Sequence, residues 1–385
     1  MRPEQLIRVL CLALTVPLVL LIVLAAAPAH AEPYLMVRAG AKCSECHTNQ
    51  TGGGKRTPFA HIHAKDILHD LDLLPIPPGV KAFNGELNSY MSIGSDLRVR
   101  NTTVFGGKVN AQGEVERNQA FRPEVESNDT QVFEFLMYSQ IDLWPDLVTL
   151  YADEDFTGGA TNREAFALLK GFLPWDSYMK AGRMFPTFGL RVQDDQAFVR
   201  ANSGYTFQNP DAGVEFATQP GPFYLGSTVY NGTAGDKDVA VTVNGYGVFE
   251  DIPFVRNVLA GASFARQSDK RDVAAFYGGT NIWNLTGIVE FDPIWDRNVA
   301  TASKRAQYAA YSELDWLLFD WLNLRGTFEF LKVSFGQDQT RYTIGAEPFI
   351  NHVLQPRIQY RINNGPASQP QLNQCELWLE LHVFL

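Results

Sequence analysis

After residue 31 this chain of 385 residues has no run of about 18 apolar residues, which excludes a protein built on membrane-spanning helices. Strands remain as a way through a bilayer. Cysteine is scarce, four in all, and Cys11 falls in the leader described below. The odd three that remain, Cys43, Cys46 and Cys375, are poorly suited to a disulfide framework. Basic charge is also short: Lys+Arg 32 against Asp+Glu 42 gives −10, so nucleic acid is not an expected partner. What is plentiful is apolar and aromatic material, 45% and 12%, which excludes a disordered chain and suffices for one large domain or two ordinary ones.

The first 31 residues read as an export signal. Arg2 and Arg8 mark a charged start, an apolar stretch runs from Val9 to Ala27, and Ala29-His30-Ala31 has the small-x-small form of a cleavage site. The stretch is long enough to suggest an anchor, but Pro17 interrupts it. Cys11 lies too near the start for a lipoprotein site. Cleavage after Ala31 removes Arg2, Glu4 and Arg8, so the expected mature chain carries −11.

Cys43-Ser44-Glu45-Cys46-His47 is a C-x-x-C-H motif, the attachment site of a c-type haem: two thiols form thioethers with the porphyrin vinyl groups and the adjacent histidine becomes the proximal iron ligand. A thioredoxin-like C-x-x-C needs a βαβ setting, which Gly40 before it and Thr51-Gly52-Gly53-Gly54 after it do not provide. Zinc needs a second Cys or His pair, and Cys375 is far away in a strand-like segment. Gly52 to Lys55 fails the spacing of a phosphate loop.

Four of the seven histidines, His47, His61, His63 and His69, fall within 23 residues. His61 and His63 are candidates for the second axial ligand, brought back over the haem by the Gly-rich loop. Met36 is the third candidate and gives a pair of higher potential than two histidines. His69 reads as a surface histidine, and His352 and His382 lie near the far end. Residues 32–82 are close to neutral at +1, leaving −12 for the rest.

Past the Pro75–Pro78 linker, polar and apolar residues alternate. Leu377, Leu379, Leu381, Val383 and Leu385 oppose Glu376, Trp378, Glu380 and His382. Arg357, Gln359 and Arg361 alternate with Ile358, Tyr360 and Ile362; Asn323, Arg325, Thr327 and Glu329 oppose Leu322, Leu324, Phe328 and Phe330. Phe133, Phe135, Met137, Ile141 and Leu143 oppose Glu134, Tyr138, Gln140 and Asp142. One apolar and one charged face, repeated, is what a transmembrane barrel with a wet interior requires; a soluble sandwich or propeller buries apolar faces against each other. Short turns at Trp144-Pro145-Asp146, Pro174-Trp175-Asp176, Gly221-Pro222 and Phe319-Asp320 alternate with longer loops at Asn202–Pro210 and Asn363–Asn373. Trp144, Trp175, Trp316 and Trp321 near the turns fit an interfacial girdle. The expectation is an all-β, antiparallel transmembrane barrel of about sixteen strands. Its domains would be a signal peptide at 1–31, a monohaem segment at 32–82 able to plug the lumen, and the barrel at 83–385.

The stretch Y-M-K-A-G-R-M-F-P-T-F-G-L-R, Tyr178 to Arg191, with Phe198-Val199-Arg200 and Gly213-Val214-Glu215, resembles the porin domain of phosphate-selective and related bacterial porins. With the C-x-x-C-H segment in front, the chain is similar to the fused cytochrome-porins of outer membranes, including those of iron-oxidising bacteria. That resemblance implies residence in the outer membrane of a Gram-negative bacterium and one haem c in the lumen or at its periplasmic mouth. It also implies electron transfer between a periplasmic carrier such as a cytochrome and an extracellular donor or acceptor such as iron. Cys43 and Cys46 would tether, His47 would ligate, and His61, His63 or Met36 would complete the iron, with outer-membrane lipid around the wall and no catalytic acid or base needed. Two alternatives stay open: an anion or solute porin with a structural or sensory haem, its lumen lined by Arg325, Arg357, Arg361 and Arg183, and a haem peroxidase with His63 as acid and base.

Overall fold

The computed structural model describes residues 32–60, 84–106, 110–113, 124–232, 239–268, 270–297, 305–333, 338–350 and 353–384. A short strand β1 (Glu86–Asn88) pairs with the start of β2 (Met91–Gly106). From β2 to β17 (Cys375–Phe384) sixteen strands run antiparallel, each bonded to the next. β17 returns to β2 in a register from Cys375↔Phe105 to Phe384↔Asp96. The sheet is therefore a closed barrel of the expected strand number, and closure leaves no unpaired edge in the hydrocarbon layer. Among the described residues no helix is long and apolar enough to cross a membrane.

The alternation sorts side chains inside out. In β9 (Ala240–Ile252), Val241 and Val243 are exposed while Thr242 and Asn244 are buried. In β12 (Leu285–Asp296), Val289 and Phe291 face out while Glu290 and Asp292 are buried; in β13 (Arg305–Phe319), Leu314 and Trp316 oppose Glu313 and Asp315. Charges withdrawn from the surface and exposed valines, leucines and phenylalanines are the pattern of a wall whose outside meets lipid. Phe133 departs from the face its spacing assigns. In the register of β2 with β3 (Glu124–Trp144), Arg98 pairs with Glu134 and Val99 with Val132, so Phe133 is an extra residue. This bulge turns the ring into the lumen, 3.5 Å from the Arg100 guanidinium.

The longest connections fall on one rim. Those at 145–147, 171–177, 219–222, 253–254, 283–284, 320–321 and 349–353 share one rim, and those at 107–123, 156–160, 185–210, 231–239, 268–270, 297–304, 334–338 and 365–374 share the other. The turns and long loops read from the sequence segregate to these two rims. Trp144, Trp175 and Trp316 are exposed at the short-turn rim, while Trp321 is half-buried in a stack with Phe319.

The connection 185–210, between β6 (Tyr178–Met184) and β7 (Asp211–Thr218), folds inward. Its backbone amides reach wall side chains: Gly189 to Ser263 at 2.9 Å, Leu190 to Glu290 at 2.9 Å and Phe198 to Glu329 at 2.7 Å. Gly189 lies in the left-handed region, φ +55°, and a Cβ there would stand 2.1 Å from Glu290 Oε1, so the close approach requires glycine.

Candidate functional site

Residues 32–60 lie within the barrel, bonded to lumen-facing groups all around it. Glu32 pairs with Arg357 at 2.6 Å, Thr48 Oγ1 donates to Gln140 at 2.8 Å, and Asn49 Nδ2 donates to Glu164 at 2.7 Å. Asn257 Nδ2 donates to the Arg38 carbonyl at 2.8 Å, and Lys42 Nζ to the Gly221 carbonyl at 2.9 Å in a short turn.

Local sequence fixes the motif's geometry. Helix α1 (Pro33–Ala39) opens on proline and ends at Gly40, φ 71°, with the Ala41 amide bonded to the Met36 carbonyl at 3.1 Å. The chain then enters α2 (Cys43–Cys46), where Lys42 N donates to Glu45 Oε1 at 3.2 Å as one arm of a capping box. One helical turn brings Cys43 and Cys46 to neighbouring positions, and His47 N closes the turn on Cys43 O at 3.0 Å. Thr48 N to Lys55 O at 2.9 Å and Thr57 N to Cys46 O at 3.1 Å then fold the Gly-rich loop back on the motif. Gly52, Gly53 and Gly54 all have positive φ, and a Cβ on Gly54 would stand 2.0 Å from the Tyr151 hydroxyl.

The motif opens on a cavity of about 580 Å³, within the range of cofactor pockets. Met36, Cys43, Cys46 and His47 line it from the segment, with Tyr224, Tyr246 and Tyr277 facing them from the wall. Its other walls include Asp320 and Arg256, at the short-turn rim. A second cavity of about 700 Å³ lies toward the long-loop rim and holds Asp155, Arg341 and Trp378. His47, Gly53 and Arg191 line both.

The electrostatics suit a metal-binding imidazole. Burial, then the neighbouring Arg56, pushes His47 down to about 3, so its ring is neutral, and its Nδ1 is buried with no hydrogen-bond partner among the described residues. Burial pushes the Cys46 thiol up to about 11 and Cys43 upward as well, so both are protonated thiols. Two free cysteines, a neutral buried histidine and an adjoining cavity fit a covalently held haem. Among the described residues no group of three or more His, Cys, Asp or Glu could hold a bare metal ion.

Met36 is brought to the motif, its Sδ 3.7 Å from Cys43 Sγ. His61, His63, His69 and His352 lie outside the described residues, but Ala60, next to His61, lines the cavity. His382 is elsewhere, on the lumen face of β17, 3.0 Å from Asp96 Oδ1. Cys375 is buried in the wall. Arg325, Arg357 and Arg361 face the lumen as expected; Arg183 does not, because β6 alternation puts buried Lys180 inside and Arg183 on the exposed face. Arg56 and the three tyrosines gave no motif signal, and Arg191 appeared only as the end of the porin-like stretch, with no site role read from it. The tyrosines are legible only as lumen-parity aromatics between apolar neighbours, as Tyr224 between Phe223 and Leu225.

No protein-family model matches the chain, and no curated protein matches it. Solved structures match over most of the barrel. OmpT of Vibrio cholerae is 11% identical, with 78% of this chain and 99% of that chain covered and a TM-score of 0.53. An anion-selective porin from Comamonas acidovorans is 10% identical over 77% and 99%, TM-score 0.53. Salmonella typhi OmpF, in complex with daunomycin, is 10% identical over 77% and 97%, TM-score 0.55. At these identities the likeness is one of fold: a porin-like outer-membrane β-barrel.

Proposed function

We propose that this protein conducts electrons across the outer membrane through one c-type haem seated in the barrel lumen. The observation that carries the reading is that His47 lines both cavities, one toward each rim. Cys43 and Cys46 would tether the group, and His47, together with His61, His63 or Met36, would supply ligands to its iron. The haem supplies a reversible one-electron couple. The chain does the rest: tyrosines wall the cavity, and the hydrogen-bonded segment carries the motif inside a hydrocarbon band about 25 Å tall. A periplasmic carrier, such as a cytochrome, meets the short-turn mouth. An extracellular donor or acceptor, such as iron, meets the long-loop vestibule.

A redox-titrated optical spectrum of the purified protein tests this. One low-spin c-type haem with reversible oxidation is expected, and Cys43→Ala with Cys46→Ala should leave a haem-free barrel in the membrane. Covalent haem persisting in the double variant overturns the assignment. The second reading is an anion-conducting porin whose haem is structural. It is favoured by arginines such as Arg98, Arg100, Arg341 and Arg361 in the vestibule, and by the Comamonas protein's description as anion-selective. Bilayer conductance, treated below, separates the two.

A further inference from the structure

Nine arginines line the vestibule, and seven of them, from Arg98 to Arg361, stand within ion-pair distance of a carboxylate: Arg98 at 3.0 Å from Asp96, Arg163 at 3.0 Å from Glu134, Arg357 at 2.6 Å from Glu32. Arg56 and Arg191 form no such pair among the described residues. Arg56 is 8% exposed, its Nη1 is buried with no hydrogen-bond partner among the described residues, and its guanidinium lies 5.3 Å from the Phe384 ring centre. Among the described residues Arg191 donates to neutral carbonyls, Nη1 to Gly52 O at 2.8 Å and Nη2 to Phe185 O at 2.8 Å. A buried cation outside ion-pair distance of a carboxylate is costly; Arg56 is buried and Arg191 half-buried, and both stand beside the motif. Arg56 is bridged to His47 through the backbone, and Arg191 shares both cavities with it.

A haem carries its two propionates on the edge opposite the two vinyl groups that become thioethers. Cys43 and Cys46 line the cavity next to Lys42, which bonds to the Gly221 turn. A carboxylate edge directed away from that turn would meet the junction with the vestibule, where Arg56 and Arg191 stand. Resting on the haem reading above, we propose that Arg56 and Arg191 hold the two propionates, so that the tethered edge faces the short-turn rim and the carboxylate edge faces the vestibule. Two unpaired guanidiniums then meet two carboxylates, and the outer electron partner approaches the propionate edge.

The test uses the full-length holoprotein. Arg56→Gln and Arg191→Gln should each shift the propionate bending band in resonance Raman and lower the midpoint potential, because a positive charge beside the oxidised iron is lost. Arg361→Gln, which removes a vestibule arginine already paired with Asp194, should leave the band in place. Arg56→Lys and Arg191→Lys keep the charge and should retain the potential while still moving the band. These two carry the test if the glutamine variants do not assemble. An unchanged propionate band in both variants, with haem still covalently bound, overturns the proposal. Wild-type protein with no covalent haem overturns the haem reading beneath it instead.

Discussion

Lys180 Nζ lies 3.0 Å from Glu215 Oε1, with both side chains fully withdrawn from solvent. The same ammonium donates to Asn49 Oδ1 at 3.2 Å, so an ion pair of the wall also anchors the segment inside it. Glu215 further accepts from Tyr178 at 2.8 Å and Thr228 at 2.9 Å. Lys180→Met leaves that carboxylate buried beside no cation and should cost about 3–5 kcal/mol, read as a lower urea midpoint for the detergent-solubilised barrel. Lys180→Met with Glu215→Leu should recover most of the loss. A single variant as stable as wild type removes the pair from any anchoring role.

Removal of residues 32–82 should open the lumen. The intact protein is expected to show little conductance in planar bilayers, because residues 32–60 bond to wall groups from Gln140 to Arg357 across the lumen. The deletion variant should give a large, steady conductance. Equal values for the two forms would favour the porin reading.

The lipid-facing assignment has its own check. Val289 is 54% exposed near the middle of β12, and its neighbour Glu290 is buried in the lumen. Val289→Lys should destabilise the barrel by about 2–4 kcal/mol in refolding into vesicles, because it places an ammonium in hydrocarbon. Little or no loss would mean that this face does not meet lipid.

The second axial ligand is sought among Met36, His61 and His63. Changed to alanine one at a time, a single one of the three should convert the haem from low-spin to high-spin and shift its potential. Met36 already touches Cys43, and His61 follows a cavity-lining residue. If all three variants stay low-spin, the ligand comes from elsewhere, and His352 is the next position to change.

Much of the wall was legible because one period-two rule sets each residue's environment. Leu379 faces out and Glu380 in, as their spacing required, and the short turns announced themselves through Pro145, Pro174 and Pro222. Phe133 was misread because a bulge shifts parity without leaving a compositional mark. The inward fold of 185–210 was likewise illegible: its amides are held by Ser263, Glu290 and Glu329, residues distant in sequence. At the site, the C-x-x-C-H spacing raised the expectation of a haem, and the structure brings its two thiols and His47 to one cavity. Arg56 and Arg191 stand out only when the seven other arginines of the vestibule are seen to have acid partners.

The bond from Glu32 to Arg357 joins residues 325 positions apart, and β17 must still form after Arg357 before the sheet can close. Contacts of such separation form late. Glu32 therefore takes this contact only as the last strands close the sheet. On the haem reading this sets an order of assembly: thioether attachment at Cys43 and Cys46 comes first, on an open chain in the periplasm, and membrane insertion comes second. A cell that exports this protein faster than it attaches haem would then accumulate barrels sealed around bare thiols.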